Sequence, residues 1–344
     1  MEYKQMLPQD KRMVGIIGFG KRGILHASMV NINPDAEWRA VCDTNAQLLT
    51  CMQNFYPNIP FFSDLDEMLE QIILDTIFIC TPEDTHLSLV KKLIQKNMNI
   101  FVETPLADSL ASSEKMVNLI SDKDNVYSLG YYFPFKALFQ KAKDLLDFGI
   151  LDSVKRFRAS LYCTLAQSSL CPKRIIANRI SSFFHLIYWL FGPVKSLYGR
   201  ASHKLTEGRS GVTLIMDHSS GLMGLLELSW SRPGYPLPTV KISVEGTGGT
   251  LEISDDDLKL YLYKKRGGFE RGWTTINISD LSSPSRFFLS EEGYYEGNSS
   301  FIESCSEKKK SAIGWEDGLE IMRMIEAVQF SIDSNRIIFL NEAK

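Results

Sequence analysis

The chain has 344 residues, 44% of them hydrophobic and 23% charged, with a formal net charge of −3. That length fits two domains of ordinary size. The balanced charge speaks against a nucleic-acid surface, and the longest dense apolar run, 183–191, falls far short of the roughly 20 residues a membrane span needs. The polar first 13 residues lack the apolar core of a secretory signal, and six scattered cysteines without a C-x-x-C pair predict no metal site and no disulfide framework. The expected compartment is a reducing cytoplasm.

The first half alternates strand and helix. An apolar strand at 13–17 runs into glycine, and Leu25, Ser28, Met29 and Ile32 then mark a helix at i, i+3, i+4, i+7. A second strand is predicted at 38–42. Ser63 followed by Asp66 resembles a capping box, with Leu65, Met68, Leu69 and Ile72 as the stripe behind it. Strands are predicted at 76–80, 99–102 and 126–129, with helices around Leu87, Val90 and Ile94 and over 109–120. Such repeated βα units predict a doubly wound parallel sheet of the Rossmann type, an α/β fold covered on both faces.

The second half reads differently. A helix over 135–146 stops near Gly149, and strand-like runs follow at 154–162, 195–200, 212–217, 222–230, 241–245, 250–253 and 258–263. The Asp217–Gly221 stretch reads as a hairpin turn. Together they predict an α/β domain on an open, mainly antiparallel sheet, interrupted by a helix at 183–191 and closed by a helix at 315–331 and a strand at 337–340. The division expected is 1–130 and 131–344. Residues 266–300 are turn-rich and predict a long surface excursion. Leu222, Leu226, Leu228 and Trp230 predict an apolar sheet face through which two or four copies associate.

Chemistry enters at Gly18, Gly20 and Gly23, a G-x-G-x-x-G run between a strand and a helix. The first glycine permits the tight turn, the second admits a diphosphate to the backbone, and the third lets helix and strand pack closely. The helix N-terminus then offers free N–H groups to phosphate, and Lys21 and Arg22 add positive charge. Asp43, at the end of the second strand, is placed to accept from ribose hydroxyls and to repel a 2′-phosphate. The cofactor predicted is therefore NAD, with NADP disfavoured.

Further along stand TPEDTH at 81–86, FVETP at 101–105, LGYYFPF at 129–135 and VEGTGGTLEI at 244–253. Their order and spacing resemble the glucose–fructose oxidoreductase / inositol dehydrogenase / MocA-like family over nearly the whole chain. The resemblance implies a Rossmann domain carrying NAD(P), and a second domain that covers nicotinamide and substrate and forms dimer or tetramer contacts. It implies that Gly18, Phe19, Gly20, Lys21, Arg22 and Asp43 hold the adenosine diphosphate half. Thr81, Pro82 and His86 would line the cofactor cleft, with Glu103, Thr104 and Pro105 beside the nicotinamide. The alternative for His86 is a helix-start residue that only caps or packs.

The chain departs from the family at its proton-transfer positions. Glu-Lys-Pro is here Glu103-Thr104-Pro105, and counting back from Gly192 puts Asn178, Ser182 and His185 where the family has Asp, His and Asp. Oxidising an alcohol needs a base for the hydroxyl proton, and threonine, asparagine and serine do not serve unaided. His185, Tyr131 and Tyr132 are the groups left to move a proton, and Arg174 and Arg179 are candidates for an anionic substrate. Against these stand packing roles for His185 and the tyrosines. The expected activity is hydride transfer between nicotinamide and a small polar substrate (a sugar, sugar derivative or related carbonyl or imine), run as a reduction. Two alternatives remain open: an inactive dinucleotide-binding sensor or partner subunit, and an enzyme using NAD as a recycled aid to elimination or hydrolysis.

Overall fold

The computed structural model describes residues 11–163, 180–201, 211–230, 238–281 and 293–340. The chain forms two compact units, Met1–Tyr131 with Leu289–Leu319, and Tyr132–Phe288 with Glu320–Lys344. A single cut after 130 does not describe this division, because the chain returns to the first unit late.

The first unit opens with β1 (Arg12–Ile17), α1 (Lys21–Asn31), β2 (Ala36–Cys42), α2 (Ala46–Phe55), β3 (Phe61–Phe62) and α3 (Leu65–Gln71). It continues with β4 (Thr76–Ile79), α4 (His86–Ile94), β5 (Asn99–Val102), α5 (Leu110–Ile120) and β6 (Tyr127–Leu129). The strands form a parallel sheet in the order β3-β2-β1-β4-β5-β6, the doubly wound arrangement expected. Val14 and Ile16 are fully buried, as the central strand of a sheet covered on both faces requires.

Two local expectations need correction. The N-cap of α3 is Asp64, whose side chain accepts the Glu67 N–H at 3.0 Å, and not Ser63. A carboxylate there also meets the positive end of the helix dipole. On α1 the buried residues are Gly23, His26, Ala27, Met29 and Val30, whereas Ser28 and Ile32 are exposed. The close seat of Gly23 on β1 turns the helix, so the apolar stripe read from the sequence is misplaced around its axis.

The second unit contains α6 (Ala137–Asp147), β7 (Val154–Tyr162), α7 (Ser181–Phe191), β8 (Val194–Ala201), β9 (Gly211–His218) and β10 (Met223–Ser229). Then come β11 (Thr239–Gly246), β12 (Gly249–Ser254), β13 (Asp257–Leu262) and β14 (Gly272–Asn277). With β15 (Ile338–Phe339) they form a nine-stranded sheet, β14-β13-β12-β11-β7-β10-β9-β8-β15, in which β7 and β10 run parallel and the other pairs antiparallel. Leu222, Leu226, Leu228 and Trp230 all prove to be buried. The outward positions are Ile215, Met223 and Leu225. Side chains alternate across a strand, so a register read one residue off exchanges the two faces.

Between 266 and 300, the described residues hold β14, a short 3₁₀ turn and the start of α8 (Tyr294–Glu307), in place of one long excursion. Helix α8 belongs to the first unit, where Phe301 meets Phe78 and Phe101 at 5.5 and 5.6 Å. The last helix, α9 (Trp315–Ser334), starts in the first unit and ends in the second. Its Trp315 is fully buried, and Nε1 donates to the Ser128 carbonyl at 3.0 Å.

Candidate functional site

A doubly wound sheet binds its ligand outside the carboxyl ends of the strands, where the strand order reverses. Here the reversal lies between β1 and β4. The segments leaving β1, β4 and β5 carry the glycine motif, Thr81–His86 and Glu103–Pro105.

The glycines have separate duties. Gly18 sits at φ +85°, and a Cβ there would lie 2.7 Å from the Thr81 side chain and 2.9 Å from the backbone between Cys80 and Thr81. A Cβ on Gly23 would lie 1.9 Å from the Gly18 carbonyl, so only glycine lets α1 seat against the turn. A Cβ on Gly20 would meet nothing within 4 Å, and no side chain caps the start of α1. An uncapped helix start with open space above it and Lys21 exposed beside it fits a diphosphate. Phe19, in contrast, is fully buried, stacked on Trp38 at 5.9 Å and edge-on to Phe61 at 5.4 Å. Its side chain is core, and only its backbone faces the turn.

Asp43 follows β2. One carboxylate oxygen accepts the Phe19 N–H at 2.6 Å and the other accepts the Asn45 N–H at 2.8 Å. The carboxylate therefore stands against the glycine turn, where a ribose would approach it.

The end of β5 holds a charge cluster. Glu103 is buried, with Oε1 2.8 Å from His26 Nε2 and 4.0 Å from Arg22 Nε, while Oε2 accepts the Thr104 N–H at 3.0 Å. Burial alone pushes the Glu103 carboxyl up. The His26 hydrogen bond, Arg22 and the Thr104 N–H outweigh it and hold the group below the usual carboxylate range. His26 Nδ1 lies 2.9 Å from Asn298 Oδ1 on α8, and the Arg22 guanidinium sits 4.8 Å over the Tyr294 ring. Arg22 is thus engaged with Glu103 and Tyr294. Sequence reasoning missed His26, Tyr294 and Asn298, because the residues concerned stand up to 272 positions apart.

His86 is buried, its Nδ1 3.0 Å from the Leu106 carbonyl and its Nε2 3.0 Å from the Thr81 carbonyl. The ring is a strut between the segments that follow β4 and β5, which favours the packing alternative. Pro82 is exposed and Thr104 half-buried, and the Thr104–Pro105 peptide bond is cis.

Residues 12–131 match the family model GFO_IDH_MocA, described as an oxidoreductase family with an NAD-binding Rossmann fold. Over these residues the chain is similar to the Gfo/Idh/MocA oxidoreductases. The cofactor of this family's fold is NAD. Myo-inositol 2-dehydrogenase of Thermotoga maritima is 22% identical, with 96% of this chain and 98% of the relative covered. Inositol 2-dehydrogenase of Rhizobium meliloti is 23% identical, with 94% and 98% covered. Among solved structures, a levoglucosan dehydrogenase in complex with NADH and L-sorbose shares the fold at a TM-score of 0.85 and 16% identity, over 97% of this chain and 100% of that one.

The second unit holds most of the remaining candidates. Ser182 and His185 share α7 and are both buried. Burial pushes the His185 imidazole down to about 3, so it is neutral near pH 7. Ser181 is fully buried, and its hydroxyl has no partner among the described residues. Tyr132 stacks on Phe133 at 4.5 Å, with the Lys136 ammonium 5.9 Å from its ring and 2.6 Å from Asp255. Tyr131, the last residue of the first unit's opening stretch, is 1% exposed. Arg174, Asn178 and Arg179 lie outside the described residues. Among the described residues no group of His, Cys, Asp or Glu is disposed to hold a metal ion, and no helix is long and apolar enough to cross a membrane.

Proposed function

We propose that this protein is an NAD-dependent oxidoreductase that moves a hydride between nicotinamide and a small polyhydroxy substrate, a sugar, a cyclitol or a related carbonyl or imine compound, and that it runs as a reductase. The observation that carries the reading is the glycine turn, crowded at Gly18 and Gly23 and open at Gly20, above an uncapped helix. In this reading the N–H groups of α1 and Lys21 hold the diphosphate. Asp43 binds the adenosine ribose and disfavours a 2′-phosphate. Thr81, Pro82, Glu103, Thr104 and Pro105 line the nicotinamide half, and His86 holds two of those segments together.

Bound NADH supplies the hydride. The reading of a reductase rests on Thr104, which is no proton acceptor, and on the neutral, buried His185. When a carbonyl carbon gains a hydride, the C=O π pair moves to the oxygen, which then takes a proton; a donor of modest strength, a tyrosine phenol or water, suffices. Tyr131 and Tyr132, with Ser182 and the residues Arg174, Asn178 and Arg179, are the proposed substrate side. The same two observations favour a second reading, a dinucleotide-binding protein without turnover.

The five cysteines among the described residues are all free thiols, which supports a reducing, cytoplasmic setting. The outward Ile215, Met223 and Leu225 support a homodimer or homotetramer through the large sheet. The deciding experiment is a fluorescence titration with NADH and NADPH, followed by a screen of sugars, cyclitols and their keto forms with bound cofactor as reporter. NADH binding stronger than NADPH binding, with oxidation of NADH by a keto compound, is expected. A folded sample that binds neither cofactor overturns the assignment; binding without turnover on any such substrate selects the second reading.

A further inference from the structure

The cluster at the end of β5 is larger than packing requires. Glu103 is a buried carboxylate at the carboxyl end of β5, beyond the strand reversal, and a histidine, a guanidinium and a backbone N–H stand around it. In a dinucleotide fold of two mononucleotide halves, the adenosine lies with β1 and β2, so this second half receives the nicotinamide. The two redox forms of that ring differ in charge. The oxidised ring is a cation, and adding a hydride (two electrons and one proton) cancels the charge.

We propose that Glu103 and Arg22 form an electrostatic pair that sets the relative affinity of the protein for NAD+ and NADH, with His26 and Asn298 as positioning residues that keep the carboxylate in place. The inference rests on the proposed NAD site. Glu103 supplies a fixed negative charge that favours the cationic ring, and Arg22, 4.0 Å away, offsets it. The two parts are held differently. Arg22 is half-exposed and rests on Tyr294. Glu103 is fixed through His26, itself fully buried and in contact with the rings of Phe78 and Phe101 at 5.4 and 5.1 Å, and His26 in turn is fixed by Asn298. Both anchors on the far side of this cluster come from α8, a helix placed in the first unit from late in the chain.

The test is a pair of titrations on the full chain, NADH by fluorescence and NAD+ by calorimetry, for the wild type, Arg22→Met, Glu103→Gln and the double variant. Arg22→Met leaves Glu103 less compensated, so the ratio Kd(NAD+)/Kd(NADH) falls by about fivefold, an order expected for one charge close to the ring. Glu103→Gln keeps an acceptor for His26 and raises the ratio by a similar factor, and the double variant returns it close to the wild-type value. A merely structural role moves both affinities together and leaves the ratio unchanged, and that result, or a shift of the opposite sign, overturns the inference. Arg22→Met, on the surface, keeps the test sound if Glu103→Gln does not fold. If the wild type binds neither NAD+ nor NADH, the site assignment itself fails, a separate outcome from an unchanged ratio.

Discussion

Replacing Gly20 and Gly23 by alanine, one at a time, separates the two duties assigned to the glycine turn. At Gly23 the added methyl would lie 1.9 Å from the Gly18 carbonyl oxygen and 3.0 Å from its carbon, both backbone atoms with no rotamer to yield. Helix and turn must part, and a forced shift of this kind typically costs about 1–3 kcal/mol. In a unit of this size that lowers Tm by roughly 4–8 °C for a cost near 2 kcal/mol. At Gly20 the methyl meets nothing within 4 Å, and the backbone, at φ −70° and ψ −166°, is extended and open to alanine. Stability should change by less than about 1 kcal/mol, the scale of a weakened N-cap. The methyl stands where the diphosphate approaches, so NADH affinity should fall about tenfold or more, equivalent to about 1.4 kcal/mol. Thermal unfolding without ligand reads the first effect, and NADH titration of the folded variant reads the second. A Gly20→Ala protein that binds NADH as tightly as the wild type refutes the placement of the diphosphate. A Gly23→Ala protein of unchanged Tm refutes the packing argument.

Other perturbations probe other parts of the molecule. Asp43→Ser removes the carboxylate against the Phe19 N–H; NADPH should gain on NADH in competition titrations, and Tm should fall by an amount equivalent to about 1 kcal/mol for the weakened hydrogen bond. His185 has a folded pKa depressed from 6.5 to about 3. Its neutral form is the stable one in the fold, so stability is fully present above pH 6.5 and is lost as the pH falls towards 3. His185→Leu should therefore lose less Tm than the wild type between pH 6.5 and 4.5, by the equivalent of about 2 kcal/mol; parallel Tm curves would remove the claim. A Cβ on Gly224 would lie 2.2 Å from the Phe157 ring, which stacks on Phe191 at 4.0 Å, so Gly224→Ala should cost about 1–3 kcal/mol in denaturant unfolding. Leu225→Lys on the outward sheet face should lower the mass seen by light scattering while leaving Tm of the dissociated chain near its former value.

Local geometry was legible in the sequence wherever it depended on neighbours. The spacing of Gly18, Gly20 and Gly23, with Asp43 after the next strand, depends on no distant contact, and the structure gives each residue a distinct setting. The parallel, doubly wound sheet of the first unit followed from alternating βα units. What failed depended on rotation about an axis or on distance along the chain. A helix face or a strand face is set by one residue of register, so Ile32 and Leu226 each fell on the wrong side. Helix α8 carries Gly297 and several serines among its buried Tyr294, Phe301, Ile302 and Cys305, which blurs its apolar stripe. His26 looked like an ordinary polar position, because its partners Glu103 and Asn298 stand 77 and 272 residues away.

The late return of α8 also bears on how the chain matures on the ribosome. Phe301, Ile302 and Cys305 belong to the same core as Val14, Ile16, Phe78 and Phe101. The first sheet can pair its strands early in translation, yet that core stays unfinished until the chain beyond residue 305 has emerged. At synthesis rates of about 5–20 residues per second, the nascent Rossmann unit spends roughly ten seconds or more with the rings of Phe78 and Phe101 short of a partner. A fragment ending near residue 131, which lacks Phe301, Ile302 and Cys305 from its core, should accordingly be a poor stand-in for the intact unit.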